Sequence, residues 1–316
     1  MFRSPFSAAT IPIIAAGLLA AACGGPAAPD RTADGRIRVA AGFYPLAELA
    51  ESIGGDAVDV ENLTPAGSEA HDLELSPSQV DAVLDADLVV LLAGGFQPAI
   101  EAAAERRDGP TLMLGSDVAP GEAGESDDDE SEGQDGAAET EPGDPHVWLD
   151  PREFADMAIE LGEALAGLTP RAATGVERRA REYADRLKSL DAEFEQGLKR
   201  CERRVFVTTH AAFRYLAAAY ELEQQAIAGL DPASEPDPGR MAALVDLLTE
   251  SGATSVFVEP LAPSGAADVL AREARVEVRR LDPLESLTAA QVEAEADYFS
   301  VMRANLAALR AGLECL

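Results

Sequence analysis

The chain has 316 residues and carries 25 basic against 57 acidic side chains, a formal charge of −32. That balance excludes nucleic acid as a partner, because no Lys/Arg-rich run exists to neutralise phosphates and only two lysines occur, Lys188 and Lys199. At 47 % apolar residues the chain can fold, and its length suffices for two lobes with their own cores.

Residues 1–22 read as a signal peptide, since Arg3 precedes an apolar run from Ala8 to Ala22 that is too short for a comfortable membrane span of about 20 residues. The run Leu18-Leu19-Ala20-Ala21-Ala22-Cys23 resembles a bacterial lipoprotein cleavage site, with Ala20 where Leu or Val is commoner. Cys23 is then the lipidated residue, residues 23–36 form a tether, and the chain is expected outside the cytoplasmic membrane. Only Cys201 and Cys315 remain. In an oxidising compartment they are expected to pair and to close a loop of 114 residues.

Short β-branched runs alternate with helical patterns. Strands are expected at 37–41, 58–63, 88–92 and 111–114, with helices at 45–53, 77–84 and 98–104 between them. Ser76-Pro77 marks a helix start by a cap followed by proline. From Gly121 to Asp144 eleven acidic residues occur with no Lys or Arg, a composition that cannot bury a core and predicts a surface loop. A helix follows from Arg152 to about Leu168. Another, in residues 169–200, carries Val176, Tyr183, Leu187, Leu190, Phe194 and Leu198 at three- and four-residue steps. Strands return at 204–208, 224–227, 255–258 and 276–281, with helices at 211–220, 239–249 and 265–272 and a last one over about 289–311. The fold class is α/β: a first lobe over residues 37–168, a spine helix over 169–200, and a second lobe over 201–316, each lobe a mainly parallel sheet flanked by helices.

Histidine occurs three times, at His71, His146 and His210, beyond a strand or at the return from the acidic loop. Ligands of open α/β sheets bind outside the carboxyl ends of strands. Asp282 occupies the matching place after the last strand, although a carboxylate there equally suits a turn before Pro283. Three imidazoles and one carboxylate make an N3O set suited to a tetrahedral first-row metal, with zinc the default. Phe43, Phe213, Tyr215 and Trp148 lie beside these positions and read as packing.

Six motifs carry a family resemblance over nearly all of residues 37–316. They are Gly42-Phe43-Tyr44-Pro45-Leu46, Ala70-His71-Asp72-Leu73-Glu74-Leu75-Ser76-Pro77, Asp144-Pro145-His146-Val147-Trp148-Leu149-Asp150-Pro151, Thr209-His210-Ala211-Ala212-Phe213-Arg214-Tyr215-Leu216, Val256-Phe257-Val258-Glu259-Pro260 and Leu281-Asp282-Pro283-Leu284. In this order they resemble the solute-binding lipoproteins of bacterial zinc and manganese ABC transporters. The resemblance implies one Zn2+ held between two lobes by residues matching His71, His146, His210 and Asp282. It also implies delivery to a membrane permease by a monomer anchored through Cys23. Zinc-type members often carry a histidine-rich loop before the second ligand, whereas this chain has the acidic insert. Glu259 belongs to the resemblance without a ligand role, and supporting or structural duty is expected of it. A manganese-binding member, a surface adhesin and a zinc hydrolase are the competing readings. Against the last, no His-Glu-x-x-His run or nucleophile motif is present.

Overall fold

The computed structural model describes residue 1 and residues 35–71, 73–115, 143–234 and 236–316. The expected signal peptide after Met1, Cys23, most of the tether and the acidic loop as far as residue 142 lie outside the described residues. Among the described residues no helix is long and apolar enough to cross a membrane.

The first lobe holds β1 (Ile37–Ala41), β2 (Val58–Asn62), β3 (Leu88–Leu92) and β4 (Thr111–Leu114), all paired in parallel in the order β2-β1-β3-β4. Helices α1 (Tyr44–Gly54), α2 (Pro77–Asp85) and α3 (Pro98–Ala104) connect them. β3 is buried along its whole length, as its unbroken Leu-Val-Val-Leu-Leu run requires of a strand covered on both faces. Helix α2 starts where Ser76 accepts from Gln79 N and the Gln79 side chain returns to Ser76 N, a reciprocal cap that leaves fewer orphan amides.

The second lobe repeats this plan with β5 (Val205–Thr208), β6 (Glu223–Ala226), β7 (Ser255–Val258) and β8 (Glu277–Arg280), parallel in the order β6-β5-β7-β8. Its connections carry α6 (Arg214–Ala219), α7 (Pro238–Glu250) and α8 (Gly265–Ala274). Between the lobes run α4 (Pro151–Leu168) and α5 (Ala173–Leu198). With 26 residues, α5 is about 39 Å long, and it packs against α1 and α4 on one side and the last helix on the other. The Arg179 guanidinium on α5 donates to Ile53 O and Gly54 O, occupying carbonyls that the end of α1 leaves open. Cys201 and Cys315 are joined as a disulfide that ties the end of the spine to the end of the chain.

Two expectations change. The final helix is split into α9 (Ala289–Glu293) and α10 (Tyr298–Gly312). Glu295 adopts φ +50° in the break, and Asp297 caps α10 by accepting from Ser300 N while Ser300 Oγ accepts from Asp297 N. This second cap lies inside a run whose apolar periodicity reads as continuous. The lobes also do not have separate main cores. The largest apolar cluster runs from Phe43 and Leu46 through Tyr183 and Leu187 to Phe206, Phe257 and Tyr298, and each sheet adds a smaller cluster on its outer face. The helices facing inward from both sheets bury their apolar stripes against the same spine.

Candidate metal centre

Every side chain of the centre comes from a loop beyond a strand's carboxyl end or from the segment returning to α4. His71 stands in the loop after β2, and the Gln97 amide braces that loop. Gln97 Nε2 donates to Gly42 O, Thr64 Oγ1 and Ala70 O at 3.1, 3.1 and 3.3 Å, tying the ends of β1 and β2 together one residue short of the histidine. Gly42 is required there, since a Cβ would lie 2.2 Å from Gln97 Oε1. The His71 ring meets Phe96 edge-on at 4.8 Å, and Phe96 in turn packs on Phe43 and Trp148.

His146 precedes a 3₁₀ turn at Val147–Leu149, and Asp150 then caps α4 by accepting from Arg152 N. Asp144 Oδ1 accepts from both His146 N at 2.9 Å and His146 Nδ1 at 2.8 Å. Trp148 beside it donates Nε1–H to Pro283 O at 2.8 Å, a bond between the lobes, and its carbonyl accepts from Tyr298 Oη. His210 follows β5 after one residue, Thr209. Glu259, at the end of neighbouring β7, accepts from Thr209 Oγ1, from His210 N and from His210 Nδ1.

These loops bring the three Nε2 atoms together around one carboxylate, and that carboxylate is Glu285. Its Oε1 lies 3.3 Å from His71 Nε2, 3.2 Å from His146 Nε2 and 3.3 Å from His210 Nε2, and the last two nitrogens are 3.4 Å apart. All four donor atoms fall within 4.8 Å of one another. Side-chain exposure is 14 % for His71, 0 % for His146, 1 % for His210 and 5 % for Glu285, so His71 is the donor on the solvent side.

Asp282 is not in this group. Its Oδ1 accepts from Leu284 N at 2.8 Å and its Oδ2 from Gln291 Nε2 at 2.6 Å, while its backbone N–H and carbonyl are both held by Asn305. The carboxylate closes an Asx turn that carries Leu284 at φ +61° and swings Glu285, three residues on, into the cleft. A turn carboxylate before proline was the open alternative for this residue, and that is the role its contacts describe. Glu285 was missed because the sequence places it past a proline and a leucine, where only the turn geometry tells which acid faces inward. The same loop reaches the first lobe: Gly67 N donates to Leu287 O and Ser286 Oγ to Pro65 O.

The electrostatics match a site built for a cation. Burial alone favours the neutral acid at Glu285, yet the hydrogen bonds to His146, His210 and His71 hold it well below the usual carboxylate range. Burial pulls the His210 imidazole down, but hydrogen bonds to Glu259 and Glu285 override this and push it up to about 10. His146 is raised for the same reason, through Asp144 and Glu285 against burial. Glu69, two residues before His71, is pushed up to about 8 by burial and then by its hydrogen bond to Glu285. The metal-free cluster therefore holds protons where a divalent ion would sit.

Comparison with known proteins agrees with this geometry. The profile of the family described as "ZnuA: Zinc-uptake complex component A periplasmic" matches residues 39–312. The zinc-binding lipoprotein AdcA of Streptococcus pneumoniae is 33 % identical over 285 residues, covering 89 % of this chain and 56 % of AdcA. The chain thus spans about half the length of that relative. The high-affinity zinc uptake system protein ZnuA of Bacillus subtilis is 30 % identical over 307 residues, covering 95 % of this chain and 96 % of that protein. Among solved structures, the Zn(II)-bound ZnuA-like domain of S. pneumoniae AdcA superposes with a TM-score of 0.73 at 32 % identity, covering 89 % of this chain and all of that domain.

Proposed function

Because the chain belongs to the family of periplasmic zinc-uptake complex components A, we propose that it captures Zn2+ between its lobes outside the cytoplasmic membrane and delivers it to an ABC permease. The proposed ligands are His71, His146, His210 and Glu285, and a lipid anchor at Cys23 would hold the protein, as a monomer, near that permease. One observation carries the reading. Tetrahedral arms of about 2.0–2.1 Å place neighbouring donors roughly 3.3–3.4 Å apart. The distances from Glu285 Oε1 to the three Nε2 atoms, 3.2–3.3 Å, fit that spacing.

The donor set favours zinc over manganese, since three imidazoles and one carboxylate are softer than the oxygen-rich shells that manganese prefers. Four protein donors also fill a tetrahedral ion's positions. That argues for holding and releasing the ion rather than activating water on it. Elemental analysis and competition titration test the proposal. One zinc equivalent is expected, with manganese at least about a hundredfold weaker, or ~2.7 kcal/mol. His210→Glu should narrow that gap. Equal or preferential manganese binding by the unaltered chain would overturn the metal assignment.

A further inference from the structure

The three histidines are held in different ways. His146 and His210 each give Nδ1–H to a buried carboxylate that also accepts their own backbone amide: Asp144 for His146, Glu259 for His210. The paired contact on ring and backbone fixes side-chain rotation as well as the tautomer, because a ring that donates through Nδ1 keeps its lone pair on Nε2. Glu259 is held by Thr209 Oγ1 too, and the His210 carbonyl accepts from Thr208 Oγ1 and Gln224 Nε2 at 2.7 and 2.9 Å. His71 has none of this. Among the described residues nothing hydrogen-bonds its Nδ1, its ring meets Phe96 edge-on, and the Gln97 brace stops at the carbonyl of Ala70.

We propose that Asp144 and Glu259 are positioning residues that keep His146 and His210 presenting Nε2 to the ion, and that His71 is the ligand that engages last and leaves first. This rests on the four-ligand zinc site proposed above. Two preset imidazoles and Glu285, all buried, form a three-donor seat. The partly exposed, unanchored His71 closes it, so capture and release pass through the His71 side. Coordination by a buried trio followed by a partly exposed fourth donor lets the protein hold an ion tightly and still surrender it without opening its shared core.

The test uses the full chain, labelled with 15N at histidine and loaded with one equivalent of Zn2+. Two protected, downfield Nδ1–H resonances are expected, from His146 and His210, and none from His71. Glu259→Gln and Asp144→Asn, which keep side-chain size, should each weaken zinc about 10- to 100-fold and move only their own histidine's resonance. In a chelator challenge, His71→Ala should speed zinc loss while one-equivalent binding persists, whereas His210→Ala should abolish tight binding. The inference fails if both carboxamide variants bind within about threefold of the unaltered chain, or if His71→Ala is as damaging as His210→Ala. If His146→Ala, His210→Ala and Glu285→Ala all retain unaltered zinc affinity, the site itself is wrong and both proposals fall. Loss in those three without loss in the carboxamide variants would remove only this one.

Discussion

The two lobes share one sheet plan and equip it differently. In each, the chain leaves the first strand to one side and returns to the other, so a crevice opens between the loops after β1 and β3 and, equivalently, after β5 and β7. In the second lobe that crevice holds a charged pair, His210 on β5's loop and Glu259 at the end of β7. In the first it holds a neutral one, the Gly42 backbone and the Gln97 amide, and His71 sits one strand away on a loop that this amide steadies, while the lobe's other histidine, His146, lies on the segment leading into α4. The same backbone frame thus supplies a histidine backed by a carboxylate on one side of the cleft and, on the other, a histidine on a loop braced by a neutral amide. The second lobe is also covalently stapled through Cys201 and Cys315, while no disulfide occurs among the described residues of the first.

The sharpest break in this comparison is within the turn that gives the second lobe its carboxylate. Glu285→Ala should lower zinc affinity at least about a thousandfold, or ~4 kcal/mol, because it removes a donor and leaves three imidazoles facing one another. Asp282→Asn, three residues earlier, keeps an acceptor for Leu284 N and should change affinity less than about tenfold. Competition titration of both variants reads the difference, and the reverse ranking would return Asp282 to the ligand set.

Removing the staple tests the second lobe's dependence on covalent support. Cys201→Ser with Cys315→Ser should cost about 2–4 kcal/mol of stability, in line with a loop of 114 residues. Denaturant unfolding with and without reductant measures it. Since the largest apolar cluster spans both lobes, the whole molecule should unfold in a single transition at lower denaturant. A separate early transition of the second lobe would show that the shared core does not couple them.

Proton competition should report on the second lobe's carboxylate-backed histidine. Because His210 is raised to about 10 in the metal-free protein, zinc must displace its proton at pH 8, and calorimetry in buffers of different ionisation enthalpy should register release of at least one proton. Each displaced proton makes apparent affinity rise about tenfold per pH unit, equivalent to ~1.4 kcal/mol, and for His210 the rise levels off as pH reaches about 10. Without metal, the His210 contribution to stability is fully present below about pH 6.5 and fades as pH rises through about 10. Glu285, being depressed, contributes above about pH 4.3 and loses that contribution as pH falls through its lowered value. Thermal melts of the metal-free chain should therefore decline between pH 6.5 and about 10 more than those of the zinc-loaded chain.

The corresponding perturbation in the first lobe is Gly42→Ala. Its Cβ would meet the Gln97 carbonyl oxygen at 2.2 Å, and Gln97 has no room to yield while its amide serves three acceptors. A cost of about 1–3 kcal/mol is expected in unfolding, with faster zinc loss because the brace beneath His71 is displaced. Unchanged exchange kinetics would mean that the brace supports the loop but not the ligand.

Local signals were legible along most of the chain. Four strands, β1, β3, β4 and β7, fall on the expected residues because each is a short apolar run bounded by turn residues. The starts of α2 and α3 do as well, because a proline at the first helical position advertises itself. The histidines were legible by scarcity and by position beyond strand ends. The break between α9 and α10 was not, since Asp297 and Ser300 cap a helix inside an uninterrupted apolar rhythm. Nor was the inward acid, because Asp282 and Glu285 are both carboxylates of one short turn.

The sequence by itself thus determined the parallel α/β plan, its punctuation, and the three imidazoles that make a metal centre worth seeking. These depend on periodicity, caps and residue chemistry, all written within a few residues of one another. Only the tertiary structure decided that Glu285 rather than Asp282 enters the cleft, that Asp144 and Glu259 back His146 and His210, and that one core runs through both lobes. Such choices rest on distances between residues far apart in the chain, such as His71 and Glu285, 214 positions apart and 3.3 Å from donor to acceptor. Folding sets those distances through the packing of both sheets on a common spine, and no local pattern encodes them.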